Sequence, residues 1–212
     1  DEFTVDGSYR RELRPNATHG LVGANYVNHE YAGSRGGYDS TTLYGGVDHN
    51  FNQNMLGNAQ LGYSFSSIEG ATSEDSTTPY LQAGLDYKIT DRTSVNGTLG
   101  YSFYYAENSY FNAQDRLNIG LGAKHDLTGK ITLSSTLSYT LSMFDSKYAS
   151  ENLATIQDYE EIYIRLSLRG SYQINRNNFV DVGYEISHRD VENEAAREYT
   201  RNRVDIGWRL RL

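Results

Sequence analysis

The sequence predicts an all-β fold, a transmembrane antiparallel up-and-down β-barrel of about 11–12 strands. Three observations predict it: two-residue alternation of apolar and polar side chains, segments too long for a soluble sheet, and connections that are alternately short and long. The alternation is plainest in a repeated phrase. LGYSF stands at 61–65 and again at 99–103, LSYTL follows at 137–141, and Tyr63, Tyr101 and Tyr139 recur at intervals of 38 residues. Ala59, Leu61, Tyr63 and Phe65 fall on one face of a strand, with Asn58, Gln60, Gly62 and Ser64 on the other.

The same grammar divides the chain into segments at 2–14, 19–31, 40–52, 56–68, 78–89, 92–106, 114–127, 130–144, 159–174, 177–189 and 199–212. Soluble strands usually run to about 5–6 residues, far fewer than these. Short turn-like links, RPNAT (14–18), NQNM (52–55), TDR (90–92), TGK (128–130) and NRN (175–177), alternate with long polar loops such as EGATSEDST and DSKYASENLATIQDYEE. Long tilted strands, short turns at one end and long loops at the other are the grammar of an outer-membrane barrel, and the 38-residue interval is one hairpin of it. A soluble sandwich or lipocalin-like barrel is the alternative. It leaves unexplained the glycines of the polar face, Gly62, Gly84, Gly100, Gly120, Gly122, Gly183 and Gly207, which inside a small closed barrel relieve crowding.

Composition alone points elsewhere. Its 38% hydrophobic content, net charge of −8 and mean hydropathy of −0.64 resemble a polar soluble domain. No apolar run approaches the roughly 20 residues of a spanning helix. The 19 Tyr and 20 Gly against 2 Pro fit a barrel better. There is no cysteine, hence no disulfide or thiolate metal site, and the absence of a basic stripe argues against nucleic acid. The expectation is a single barrel domain over 1–212, with short turns on the periplasmic side. An odd count of eleven then implies that an upward first strand precedes Asp1, or that an end segment is miscounted. The opening DEFTVDGSYRRELR reads as strand rather than signal segment, as expected of a mature chain or excised fragment.

STTLYGGVDHNF, SYQINRNNFVDVGYEISHRD and the closing YTRNRVDIGWRLRL resemble the putative beta-barrel porin 2 family of Gram-negative outer-membrane proteins. The resemblance implies the bacterial outer membrane and a porin-like or export role near polysaccharide systems, and it supplies no catalytic residue. One departure is the final residue, Leu212 with Trp208 four before it, where the insertion machinery usually meets an aromatic residue.

The outward aromatics Tyr9, Phe51, Tyr87, Tyr172 and Trp208 lie near the short turns, where an interfacial belt belongs; Tyr31, Phe65, Phe103 and Tyr105 lie toward the loops. Tyr44, Tyr104 and Tyr163 point inward near the outer mouth by parity, either filling the lumen or stacking on a solute. The inward charges are Asp48, Asp86, Lys88, Lys124, Arg165, Arg169, Asp181, Glu185, Arg189, Arg203, Asp205, Arg209 and Arg211. On the last three strands they read as a cross-strand ion-pair ladder or as an arginine-lined, anion-favouring wall.

An enzyme needs a nucleophile beside a base. His188 is outward, but the outward neighbours expected beside it, Ile162, Ile164, Tyr199 and Arg201, include no serine, and Ser187 and Ser135 lie on the wrong face or strand. His49 and His125 read as interfacial. The loop carboxylates Glu69, Glu74, Asp75, Asp145, Glu151, Asp158, Glu160, Glu161, Glu192 and Glu194 lack the ordered spacing of a calcium site. No catalytic residue, metal or cofactor is expected. The expected partners are outer-membrane lipid and lipopolysaccharide, the outer-membrane insertion machinery, and a small solute or polysaccharide. The functional expectation is a narrow passive channel or export port, with a closed anchoring barrel as the alternative. Leu85 or Leu137 to Arg should be costly and Ser64 or Thr98 to Arg mild, and Leu153, Ala154 and Ile156 suggest that loop 145–160 folds over the mouth.

Overall fold

The computed structural model describes residues 2–29, 38–68, 74–106, 111, 113–146, 157–192 and 197–211. Its strands are β1 (Glu2–Arg14), β2 (Thr18–His29), β3 (Tyr38–Asn52), β4 (Met55–Ile68), β5 (Glu74–Thr90), β6 (Thr93–Tyr105), β7 (Ala113–Asp126), β8 (Ile131–Phe144), β9 (Tyr159–Gln173), β10 (Asn178–Val191) and β11 (Tyr199–Leu210). They form one sheet in sequence order. Neighbours are antiparallel throughout, as strands joined by short turns must be. The fold is therefore the up-and-down antiparallel architecture expected. Tyr31, Glu69, Glu151, Leu153, Ala154, Ile156 and Glu194 lie outside the described residues.

Register carries the two-residue pattern from strand to strand. Leu61 pairs with Gly45 and Leu81, and Leu137 pairs with Leu121 and Leu166, so one face of the sheet is continuously apolar. That face is bare: Leu61 is 65% exposed, Trp208 69% and Ile206 76%. Apolar surface of this extent has only lipid to meet.

The polar face is the concave one, because its side chains reach across an intervening strand. Arg10 on β1 pairs with Asp48 on β3 at 2.7 Å. Tyr44 on β3 donates to Asp6 on β1 at 3.4 Å, lying over Gly23, whose missing side chain leaves the ring its place. On the far side Arg169 of β9 meets Asp205 of β11 at 3.6 Å. At the first short turn Asn16 has φ of 57°, a conformation that Asn tolerates better than most residues.

One region departs from simple parity. The β5–β6 ladder stops at Leu81–Tyr101, although β5 continues beside β4 to Glu74 and β6 continues beside β7 to Tyr105. Pro79 stands two residues beyond the last pair, and proline brings no N–H to a ladder. Past that point the β6–β7 hairpin leans inward. Its outward-parity residues meet the inner side of the wall: the Thr78 hydroxyl donates to Asp115 at 3.0 Å, and Phe103 packs edge-on to Tyr38 with ring centroids 6.2 Å apart. Inner-face residues behind the hairpin are consequently covered, Ser64 at 3% exposure, Ser66 at 4% and Thr78 at 3%. This corrects the expectation that Ser64→Arg is mild.

Candidate functional site

The candidate site is the concave polar face, and the register places its charges. Asp86 sits opposite Asn96, Lys88 opposite Ser94, and Ser94 opposite Lys124. Lys88 pairs with Asp91 at 3.1 Å and Lys124 approaches Asp126 at 4.0 Å, so the short-turn end of β5–β7 is balanced in sign.

The other wall is not. Arg169 lies between Ser134 and Gly183, Glu185 lies between Ser167 and Arg203, and Arg209 lies opposite Phe179. Three ion pairs here are long, Arg165 to Glu185 at 3.9 Å, Arg169 to Asp205 at 3.6 Å and Arg209 to Asp181 at 3.4 Å, and one near the loop ends is short, Arg189 to Glu161 at 2.6 Å. Arg209 also stacks over Phe179 at 4.8 Å. Arg201 faces inward too, because it pairs with Ser187. Arg203 shares that face, and Arg211, just past the end of β11, bonds through its backbone N–H to the Asn177 carbonyl. Together Arg165, Arg169, Arg189, Arg201, Arg203 and Arg209 outnumber Glu161, Asp181, Glu185 and Asp205 on strands β9–β11, although the chain is acidic overall.

Tyr104 and Tyr163 lie on the polar face near the loop ends, opposite Gln114 and Thr140. Tyr44 lies near mid-height of β3 rather than at the mouth, and it packs on Tyr80 with centroids 5.7 Å apart. Tyr80, whose hydroxyl donates to Gln60 at 3.2 Å and Gln82 at 2.7 Å, went unnoticed in the sequence although its parity equals that of Gln82. Arg116, which stacks on Tyr104, and Arg10 were missed in the same way. Tyr9 pairs with Val22 and Tyr87 with Met55 and Val95 on the apolar face. Phe51 packs edge-on to His49 at 4.6 Å. Tyr172 sits between Ile131 and Val180, and Trp208 donates to Asn178 at 3.1 Å.

The outward neighbour of His188 on β11 is Thr200, not Tyr199 or Arg201; the assigned parity was off by one residue. The two side chains meet at 2.9 Å. Thr18 with His49 at 2.7 Å and Thr93 with His125 at 2.9 Å repeat the arrangement at the short-turn end. A pair used three times at both rims of the sheet fits cross-strand pairing better than catalysis. No group of three metal-ligating side chains occurs among the described residues.

Residues 16–121, half of the chain, match the family described as Putative beta-barrel porin 2. The chain belongs to that family. No protein of curated function matches the sequence. Among solved structures, the FrpB iron transporter of Neisseria meningitidis (F5-1 variant) superposes with a TM-score of 0.68 at 12% identity, over 90% of this chain and 36% of that one. The outer membrane channel DcaP of Acinetobacter baumannii gives 0.64 at 19% identity, over 97% and 61%. OmpT of Vibrio cholerae gives 0.50 at 16% identity, over 97% and 63%. At such identities the likeness is one of fold. The chain spans about a third of the length of FrpB and less than two-thirds of DcaP and OmpT. This Putative beta-barrel porin 2 chain is thus a porin-like β-barrel protein of the bacterial outer membrane.

Proposed function

We propose that the chain forms the wall of a narrow passive channel or export port that favours anions and carries out no catalysis. The observation that carries this reading is the excess of arginine on the concave face of β9–β11. There Arg189, near the loop ends, pairs tightly with Glu161 at 2.6 Å, while Arg165, Arg169 and Arg209 hold carboxylates at 3.4–3.9 Å. Guanidinium groups held this loosely remain open to a passing oxyanion, and fixed positive charge along a water-filled wall raises the local anion concentration. Lipid and lipopolysaccharide meet the bare apolar face, and the insertion machinery delivers the chain to them.

A second reading, a closed anchoring barrel, is favoured by one feature. The buried apolar cluster of Ala106, Phe111, Ala113 and Phe144 sits at the loop ends of β6–β8, where it narrows the mouth. Planar-bilayer recording of the purified, refolded chain separates the two. Small conductance with a reversal potential on the anion side supports the channel, and absence of conductance supports the anchor.

A further inference from the structure

The inward lean of the β6–β7 hairpin has a chemical consequence at the mouth. Its outward-parity side is occupied by the wall, through Asp115 against Thr78 and Phe103 against Tyr38. Its other side therefore faces the lumen, and that side carries Tyr104 and Arg116. The Arg116 guanidinium lies over the Tyr104 ring at 4.7 Å, and its Nε is buried without a hydrogen-bond partner. Beyond β8, Arg165 lies over Tyr163 at 5.2 Å and donates to its hydroxyl from Nε and Nη2 at 3.1 and 2.8 Å. Two tyrosine-backed guanidiniums thus stand near the loop ends of the same concave face. A ring behind a guanidinium fixes its plane without neutralising it, which leaves the Arg116 Nη donors for a planar oxyanion, whereas the Nε and Nη2 donors of Arg165 are already engaged by the Tyr163 hydroxyl.

The lean is held by more than one contact. Phe111, in the connection at the tip of the hairpin, is 2% exposed and packs against Phe144 and Tyr159, both with centroids 5.4 Å away. Phe144 and Tyr159 are themselves stacked at 4.5 Å. Ser40 and Ser66 bond to each other behind the hairpin at 2.9 Å, so the covered hydroxyls lose nothing by being covered.

We propose that this inward-leaning hairpin end is the selectivity constriction of the lumen, and that Arg116 on its Tyr104 backing selects small solutes bearing a carboxylate or similar oxyanion. The proposal rests on the channel reading above. It is tested in two independent measurements on the full chain, which has no native cysteine.

First, the pair T78C/D115C in the membrane-inserted chain is treated with a short bifunctional thiol reagent. It should cross-link, whereas T78C/S135C, whose second residue lies on the apolar face of β8, should not. Second, reversal potentials are recorded in a potassium chloride gradient. Arg116→Gln should lower the anion-over-cation permeability ratio by about twofold or more, and Arg116→Lys, which keeps the charge, should retain most of it. Acetate added on one side should slow chloride current in the unmodified chain and less so in R116Q. Failure of the T78C/D115C link overturns the constriction. A link with an unchanged ratio in R116Q overturns the role of Arg116 alone. A link in a chain that never conducts overturns the channel reading, and the selectivity role falls with it.

Discussion

At Gly62 any side chain would run into the Leu43 carbonyl and the Tyr44 Cα, both backbone atoms that cannot turn aside. Gly62→Val should therefore cost about 1–3 kcal/mol through overpacking and should dislodge Tyr44 from Tyr80. Gly7, with nothing within 4 Å of the corresponding position, should accept Ala with almost no shift in the urea midpoint. The facing of single residues gives a second expectation. Leu85→Arg and Leu137→Arg place a charge on the bare apolar face and should each cost about 2–4 kcal/mol in a refolding titration in lipid. Thr98→Arg should be mild, because Thr98 is exposed on the concave face and its partners across both ladders are Gly84 and Gly120. Ser64→Arg should be disruptive, since Ser64 is buried and bonded to Thr42 at 2.8 Å. A mild Ser64→Arg would mean that the β6–β7 hairpin does not cover it.

Strand parity was legible in the sequence because side chains alternate strictly, so Asp86, Lys88, Arg169 and Asp205 could be assigned a face before any register was known. What alternation cannot report is where a ladder ends. GYSFYY continues its two-residue pattern through residues 100–105, although its pairing with β5 has stopped by Tyr101, and the lean of the hairpin was therefore hidden. The available signal was Pro79, one of only 2 prolines. The Tyr199 and Arg201 assignment failed differently. Both flanks of β11 are polar, so a slip of one residue left no apolar residue visibly misplaced until the Ser187–Arg201 pair fixed the face. Partner choice among the charges of β9–β11 was equally beyond the sequence, because Arg169 reaches past Gly183 to Asp205 and not to its neighbour. The arginines of these pairs are open to water, Arg169 and Arg209 each being more than half exposed, although Asp181 itself is largely covered. Asp181→Asn and Asp205→Asn should each cost only about 0–1 kcal/mol in urea titrations. Both should increase the anion preference, since each removes a negative charge and leaves its arginine in place. A loss of preference in either variant would show that these arginines do not face the conduction path.

Among the described residues the sheet has eleven strands in an up-and-down order, so β1 and β11 run in the same direction. An antiparallel seam between them is geometrically impossible; closure needs either a parallel seam or an odd number of further strands. The two cases differ in lumen width. An eight-stranded barrel is just filled by its side chains and one of sixteen leaves a channel, so eleven or a few more strands enclose an intermediate space. Arg165, Arg169, Arg209 and Tyr163 project into that space from β9–β11, and the Tyr104–Arg116 pair approaches from β6–β7. Conductance should accordingly be small. Replacing Arg169 and Arg209 together by Ala removes two long side chains and two charges from one wall. That variant should conduct about twofold more than the unmodified chain while its reversal potential moves toward zero. The two readouts separate width from charge: higher conductance with an unchanged reversal potential would mean that Arg169 and Arg209 only obstruct, and that anion preference is set elsewhere. A large, unselective conductance from the unmodified chain would show that the lumen is wide and that the arginine wall lies too far from the permeating ions to act on them.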